Sequence, residues 1–360
     1  MLAPWAWFTN AGSQNAPAAA RDPRSAPSLD DSPLRKRGWN APHVVACLLV
    51  ATTAVLLSFG ALVTTYEAAM AVPDWPATYG HNMFLFPLSE WLGGPWDLFL
   101  EHGHRLLGAL VGLITLALAA LAWRAAVGPT VRWLAVAAVV LVVVQGGLGG
   151  ARVLLDDTTV AKIHACTGPL FFAVAVALAV LTRRSGVVPV PRVAAGLCAA
   201  VPVAAYAQLV AGAQLRHLDP ATPPRMFHAL VGTHVVVGLV VAGLAVAAFL
   251  ATRGGGNRGA RRWGLIACGL VTCQLALGVG TWIAKYGVPS AILPDAWRMA
   301  EPIVARSGPG AVIVTSHAVL GMMILGVGVA LALTAAGTVP ASVRSGAQPA
   351  AFARGRGVPA

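Results

Sequence analysis

Eight apolar stretches separated by short polar breaks run along the chain, at about 41–65, 104–123, 133–151, 163–182, 193–215, 226–251, 263–284 and 310–336. A hydrocarbon core about 30 Å thick takes roughly 20 apolar residues per helix, so each stretch is long enough to cross it. The breaks contain Gly, Pro or charge, as helix ends do. Strands of a membrane barrel would instead alternate apolar with polar positions over about ten residues. The unbroken runs therefore predict an all-α integral membrane protein with eight transmembrane helices. Residues 1–38 and 339–360 lack such runs and are predicted to be disordered tails. No apolar core with a cleavage site precedes the first span, so no cleavable signal peptide is expected.

Composition agrees with the pattern. Hydrophobic residues make up 57% of the 360 and charged residues 11%, with a mean hydropathy of +0.73. Soluble domains carry about 25% charged residues. The net charge of +12 does not mark a nucleic-acid surface, because the basic residues sit in the gaps between spans. If the N-terminus is cytoplasmic, 17 of the 25 Lys and Arg fall on the cytoplasmic side. The positive-inside rule then predicts an inner-membrane, multi-pass protein with both termini in the cytoplasm. The longer loops, about 66–103 and 285–309, face outward, as do ten of the 13 acids. Cys47, Cys166, Cys198, Cys268 and Cys273 all lie within apolar runs, so packing roles are expected and no outer disulfide.

A phrase recurs near the outer ends of the even-numbered spans: His104-Arg-Leu-Leu-Gly108, His164-Ala-Cys-Thr-Gly168 and His317-Ala-Val-Leu-Gly321. The sixth span offers two copies, His228 with Gly232 and His234 with Gly238. Odd spans share Gln145 with Gly149, Gln208 with Gly212, and Gln274 with Gly278. This repetition predicts two pseudosymmetric four-helix bundles, 39–184 and 185–338. A Gly four residues after a His lies on the same face and leaves room beside the imidazole. One membrane histidine is ambiguous, but four at similar depth on alternating helices point to function. Imidazole is a common axial ligand of haem iron, and facing helices can supply two. The expected pairs are His104 with His164, and His234 with His317. Depth from the inner boundary favours His234, whereas spacing from the preceding outer Arg favours His228. Zinc or copper would also accept imidazoles, but would not account for the small residues beside them.

Glu101 precedes His104 by three residues, so both face one site. It is read either as a carboxylate favouring a helix N-terminus or as a proton-handling group beside substrate. Arg105, Arg152, Lys162 and Arg225 are interfacial anchors or partners of haem propionates. His102 is expected to be solvated, and His43, His81 and His217 are expected to be non-ligands.

The segments Ala71-Val-Pro-Asp-Trp-Pro76 and Tyr79-Gly80, then Glu101-x-x-His104-Arg105, with Gln145–Gly149, Gln274–Gly278 and His317, resemble the haem A synthase family over roughly 40–336. The resemblance implies haem b in the C-terminal half, held by His234 and His317. It implies substrate haem O in the N-terminal half at His104 and His164, with Glu101 as the important carboxylate. The implied activity oxidises the C8 methyl of haem O to a formyl group with molecular oxygen, for aa3-type cytochrome oxidase. Implied partners are membrane lipid, an unidentified electron donor and haem O synthase, with no nucleic acid. The run Thr64–Met70, the absence of an Arg after the sixth-span histidine, the absence of an outer cysteine pair and the loop around 220–224 depart from the family pattern. They suggest a divergent member, whose substrate is haem O or a related haem. A di-haem cytochrome b that transfers electrons without oxygenation would use the same ligands without needing Glu101. A transporter or assembly factor without haem is the third reading.

Overall fold

The computed structural model describes residues 40–183, 188–219, 221–287 and 307–338; both tails and most of the loop before the last span lie outside them. The eight spans are α1 (Ala41–Thr65), α3 (Trp96–Arg124), α4 (Pro129–Leu155), α5 (Thr158–Leu181), α6 (Arg192–Arg216), α7 (Pro224–Thr252), α8 (Arg258–Tyr286) and α9 (Gly308–Ala335). A short helix, α2 (Leu88–Gly93), precedes α3. All eight are long and apolar enough to cross a bilayer.

The helix ends follow from local chemistry. Pro occupies the first turn of α1, α4, α7 and α9, where its missing N–H costs nothing. The Asp157 carboxylate accepts the N–H groups of Thr159 (2.6 Å) and Val160 (2.9 Å) to start α5. Asn257 does the same for Ala260 at α8. The second span starts well before the apolar run at 104, because Asp97 favours a helix start at Trp96 and the helix tolerates Glu101, His102 and His104.

The outward faces are apolar: Leu113, Trp133, Val143 and Val279 are all more than 60% exposed. Lipid covers such faces, so it is packing rather than hydrophobic burial that joins the helices. Small residues at the interfaces permit that packing. Ala46, Ala122, Ala135, Ala138 and Ala175 are buried around α1, α3, α4 and α5, and Ala205, Ala245, Ala248, Ala260 and Ala267 around α6 to α8. α1 packs on α3 and α5, and α4 on α3 and α5; α6 packs on α7 and α9, and α8 on α7 and α9. α9 also contacts α1 and α5, joining the two groups. A Cβ at Gly328 of α9 would come within 3.1 Å of the Pro202 backbone of α6, so glycine is what lets these two helices touch.

Candidate functional site

The segment between α1 and α2 is held to the helices by side chains of α3 and α4. Arg105 donates from Nη1 to the carbonyls of Asp74 (2.7 Å) and Ala77 (2.9 Å), and from Nη2 to Val72 (2.7 Å) and to Glu101 Oε1 (2.8 Å). Glu101 Oε2 accepts the Val72 N–H at 2.8 Å. Both side chains are more than 90% buried. The Asp74 carboxylate accepts the N–H groups of Tyr79 and Gly80 and closes the turn between them. Partial burial opposes ionisation of Asp74, but those two N–H groups and the Arg105 charge hold its carboxyl below the usual range. Trp75 lies over Gly150 of α4, where any side chain would overlap its ring.

Glu101 is thus one turn inside α3 rather than in its first turn, and the reading as an N-terminal dipole partner falls. His102 is a second correction. It is 2% exposed, hydrogen-bonds Thr78 Oγ1 at 3.1 Å and packs against Phe86 and Trp91. The apolar run underestimated how far the folded segment covers α3. Arg152 donates to the Ala69 carbonyl at 2.9 Å.

Beneath this segment the rings of His104 and His164 face each other, their centres 6.5 Å apart and their planes at 78°. Between α7 and α9 the rings of His234 and His317 lie 6.1 Å apart at 67°. Each ring rests against a glycine of the preceding span. A Cβ at Gly60, Gly149, Gly212 or Gly278 would come within 3.0–3.3 Å of Cε1 of His104, His164, His234 or His317 respectively. Gln145 Nε2 donates to the His164 carbonyl at 3.1 Å and Gln274 Nε2 to the His317 carbonyl at 3.0 Å, and Gln208 Nε2 lies 3.2 Å from His234 Nε2. The glutamine amides also pack against the next glycines: Gln145 on Gly168, Gln208 on Gly238 and Gln274 on Gly321. The repeated phrases of the sequence are therefore one contact made several times.

All four Nδ1 atoms are buried without a hydrogen-bond partner. An orphaned buried polar atom costs about 1–3 kcal/mol, so four of one type in paired positions point to a group that satisfies them. Metal–imidazole bonds run about 2 Å, and the ring centre lies roughly 1 Å behind the nitrogen, so two axial imidazoles on one metal have centres about 6 Å apart. Both pairs match this. Among the described residues no three His, Cys, Asp or Glu side chains converge as they would around a bare ion. A planar macrocycle whose iron takes two axial imidazoles fits both pairs.

The other histidines lie elsewhere. His228 is exposed and packs against Phe227 and not against His317. His43 hydrogen-bonds the Ala179 carbonyl and Thr182 at the far end of α1. His81 stands in the α1–α2 segment against Phe86. His217 follows α6; burial, then the charge of Arg216, depresses its pKa to about 4, which leaves it neutral at physiological pH.

Residues 96–224 match a family model, COX15-CtaA, described as "Cytochrome oxidase assembly protein". The chain is also similar to "Heme A synthase" of Shouchella clausii (strain KSM-K16), at 28% identity over 174 residues. That alignment covers 46% of this chain and 56% of the relative, so the chain spans about half the length of the curated relative it matches.

Proposed function

We infer that this chain is a distant member of the COX15-CtaA family of cytochrome oxidase assembly proteins. It is a haem A synthase-like membrane oxidoreductase that converts the C8 methyl of haem O to a formyl group. The observation that carries the reading is the two facing imidazole pairs with orphaned nitrogens at axial-ligand spacing. His104 and His164 would hold the substrate haem, and His234 and His317 a resident haem b, in two four-helix bundles related by pseudosymmetry.

The bound macrocycle iron supplies redox and oxygen chemistry. The chain supplies position and exclusion of water. The glycines fix the depth and rotation of each imidazole. The segment 68–80, clamped by Arg105 and closed by Asp74, covers the outer end of the His104–His164 pair and keeps bulk water from it. Glu101 is the carboxylate nearest that pair in sequence, one helical turn outward, and can stabilise positive charge or pass a proton on that side. Electrons come from a donor protein, and the termini lie in the cytoplasm.

One observation favours a second reading, a di-haem cytochrome b. Both Glu101 oxygens are already engaged, by Arg105 and by Val72. A purely structural carboxylate would suit electron transfer without oxygenation. Coexpression with a haem O producer decides between them. Mass spectrometry of the extracted pigments is expected to show methyl converted to formyl; haem O recovered unchanged beside a normal di-haem spectrum would establish the cytochrome.

A substitution series checks the glycine contacts. Gly278→Val sets branched carbons against His317 Cε1 and should cost most of the C-terminal haem. Gly269→Ala, at an exposed position of α8 where a Cβ meets nothing within 4 Å, should leave haem content unchanged. Equal haem content in the two purified variants would refute the contact.

A further inference from the structure

Between the two helix groups, at the level where α1, α4, α6 and α8 end, lies a cavity of about 540 Å³. Its walls include Ala161, Arg152, Arg216, His217, Lys285 and Val314. Ala161 precedes His164 by three residues and Val314 precedes His317 by three, so on α5 and α9 each shares a face with its histidine, one turn outward. The cavity therefore borders both imidazole pairs.

Three basic side chains, Arg152, Arg216 and Lys285, and three acids, Glu67, Asp156 and Asp157, are among the residues that line it. Arg152 is held by the Ala69 carbonyl and sits within electrostatic reach of Glu101 and Asp156. Asp157 is occupied with the start of α5. Glu67 also lies on the rim. Arg216 is different. Its Nη2 donates to the Ala61 carbonyl (2.6 Å) and to Thr65 Oγ1 (2.8 Å), and Thr65 is itself hydrogen-bonded to Thr315 of α9 at 3.0 Å. The guanidinium is thus fixed from behind by α1, and its described hydrogen bonds run through one of its three nitrogens. A guanidinium has five N–H donors, so donors remain beyond those two described hydrogen bonds. Lys285 lines the same cavity, within electrostatic reach of Arg216. Two cations held together in a partly buried cavity repel each other unless an anion lies between them. Arg216 is also within electrostatic reach of His317.

We propose that Arg216 and Lys285 form a carboxylate dock for the propionates of the macrocycle held between His234 and His317. The dock rests on the haem-binding reading of that pair. A guanidinium suits a planar carboxylate and a neighbouring ammonium serves the second, as a point charge. The arrangement fixes which edge of the macrocycle faces outward, which two imidazoles alone do not.

The test uses the full chain made in haem-starved cells and titrated in phospholipid-free detergent with iron protoporphyrin IX or its dimethyl ester, reading the Soret band. The free acid is expected to bind roughly tenfold or more tightly than the ester, since each charge-assisted hydrogen bond contributes about that factor. Arg216→Gln with Lys285→Gln should bring the acid to the ester's affinity and leave the ester unchanged. Lys285→Gln alone, which touches no helix-to-helix hydrogen bond among the described residues, should show part of the effect, and Arg216→Lys should keep most of the preference. Equal affinities in the unaltered protein, with a bis-imidazole spectrum intact, would overturn the dock and leave the haem reading standing. If neither form gave that spectrum, both would fall. If the acid and ester bound alike while phosphatidylglycerol was retained in a manner dependent on Arg216 and Lys285, the cavity would be a lipid phosphate site and the proposal would be wrong.

Discussion

His234→Ala and His317→Ala should each abolish the bis-imidazole spectrum of the C-terminal site, while His228→Ala leaves it intact. The reason is geometric. His234 and His317 face each other at 6.1 Å between ring centres, and His228 points away, against Phe227. Removing one imidazole of an axial pair leaves the iron with a single protein ligand and leaves the opposite ring without the group that satisfied it. The remaining orphan costs about 1–3 kcal/mol. Haem content per polypeptide, measured by pyridine haemochrome on purified protein, should fall to near that of the N-terminal site alone. The reverse outcome, loss in His228→Ala with retention in His234→Ala, would mean that the pairing is wrong. Corresponding changes at His104 and His164 should spare the resident haem and stop conversion of the substrate haem.

That contrast also shows where sequence alone was sufficient. Eight spans were legible because a membrane helix must be apolar along its whole length, and the described helices cover every predicted run to within one residue. The choice between His228 and His234 was not legible, because both carry a glycine four residues on. The structure separates them through the preceding span, where Gly212 meets His234 Cε1 and Gln208 meets Gly238. The matching phrases in the odd spans were visible, but only packing shows which histidine each one faces. The contacts of Arg216 were not legible for a different reason: an arginine at a helix end is ordinary, and its acceptors, Ala61 and Thr65, are about 150 residues away in the chain. His102 looked solvated because the covering segment, 68–95, has no periodic apolar pattern. Its fold depends on backbone carbonyls converging on Arg105, which leave no trace in residue type.

Glu101→Ala is expected to destabilise the outer half of the protein by about 3–5 kcal/mol, the usual cost of stranding one member of a buried ion pair. Arg105 would keep its three carbonyl acceptors but lose its ion-pair partner, and the Val72 N–H would lose its acceptor. Proteolytic nicking between 66 and 95 and the thermal transition of the purified protein report this directly. A double-mutant cycle with Arg105→Ala isolates the pair, and a coupling near zero would mean that the two side chains do not support the segment together. Chemistry is separated from support by Glu101→Gln. The amide keeps an oxygen for Val72 but presents N–H toward Arg105, so some stability is lost in either case. Haem content is the deciding measurement. If Glu101 handles charge or protons for the substrate, Glu101→Gln should hold both haems and still fail to deliver haem A. If the carboxylate only anchors the segment, product should fall no further than haem occupancy does. That second result would remove Glu101 from the chemistry and shift the weight of the functional reading onto the imidazole pairs alone.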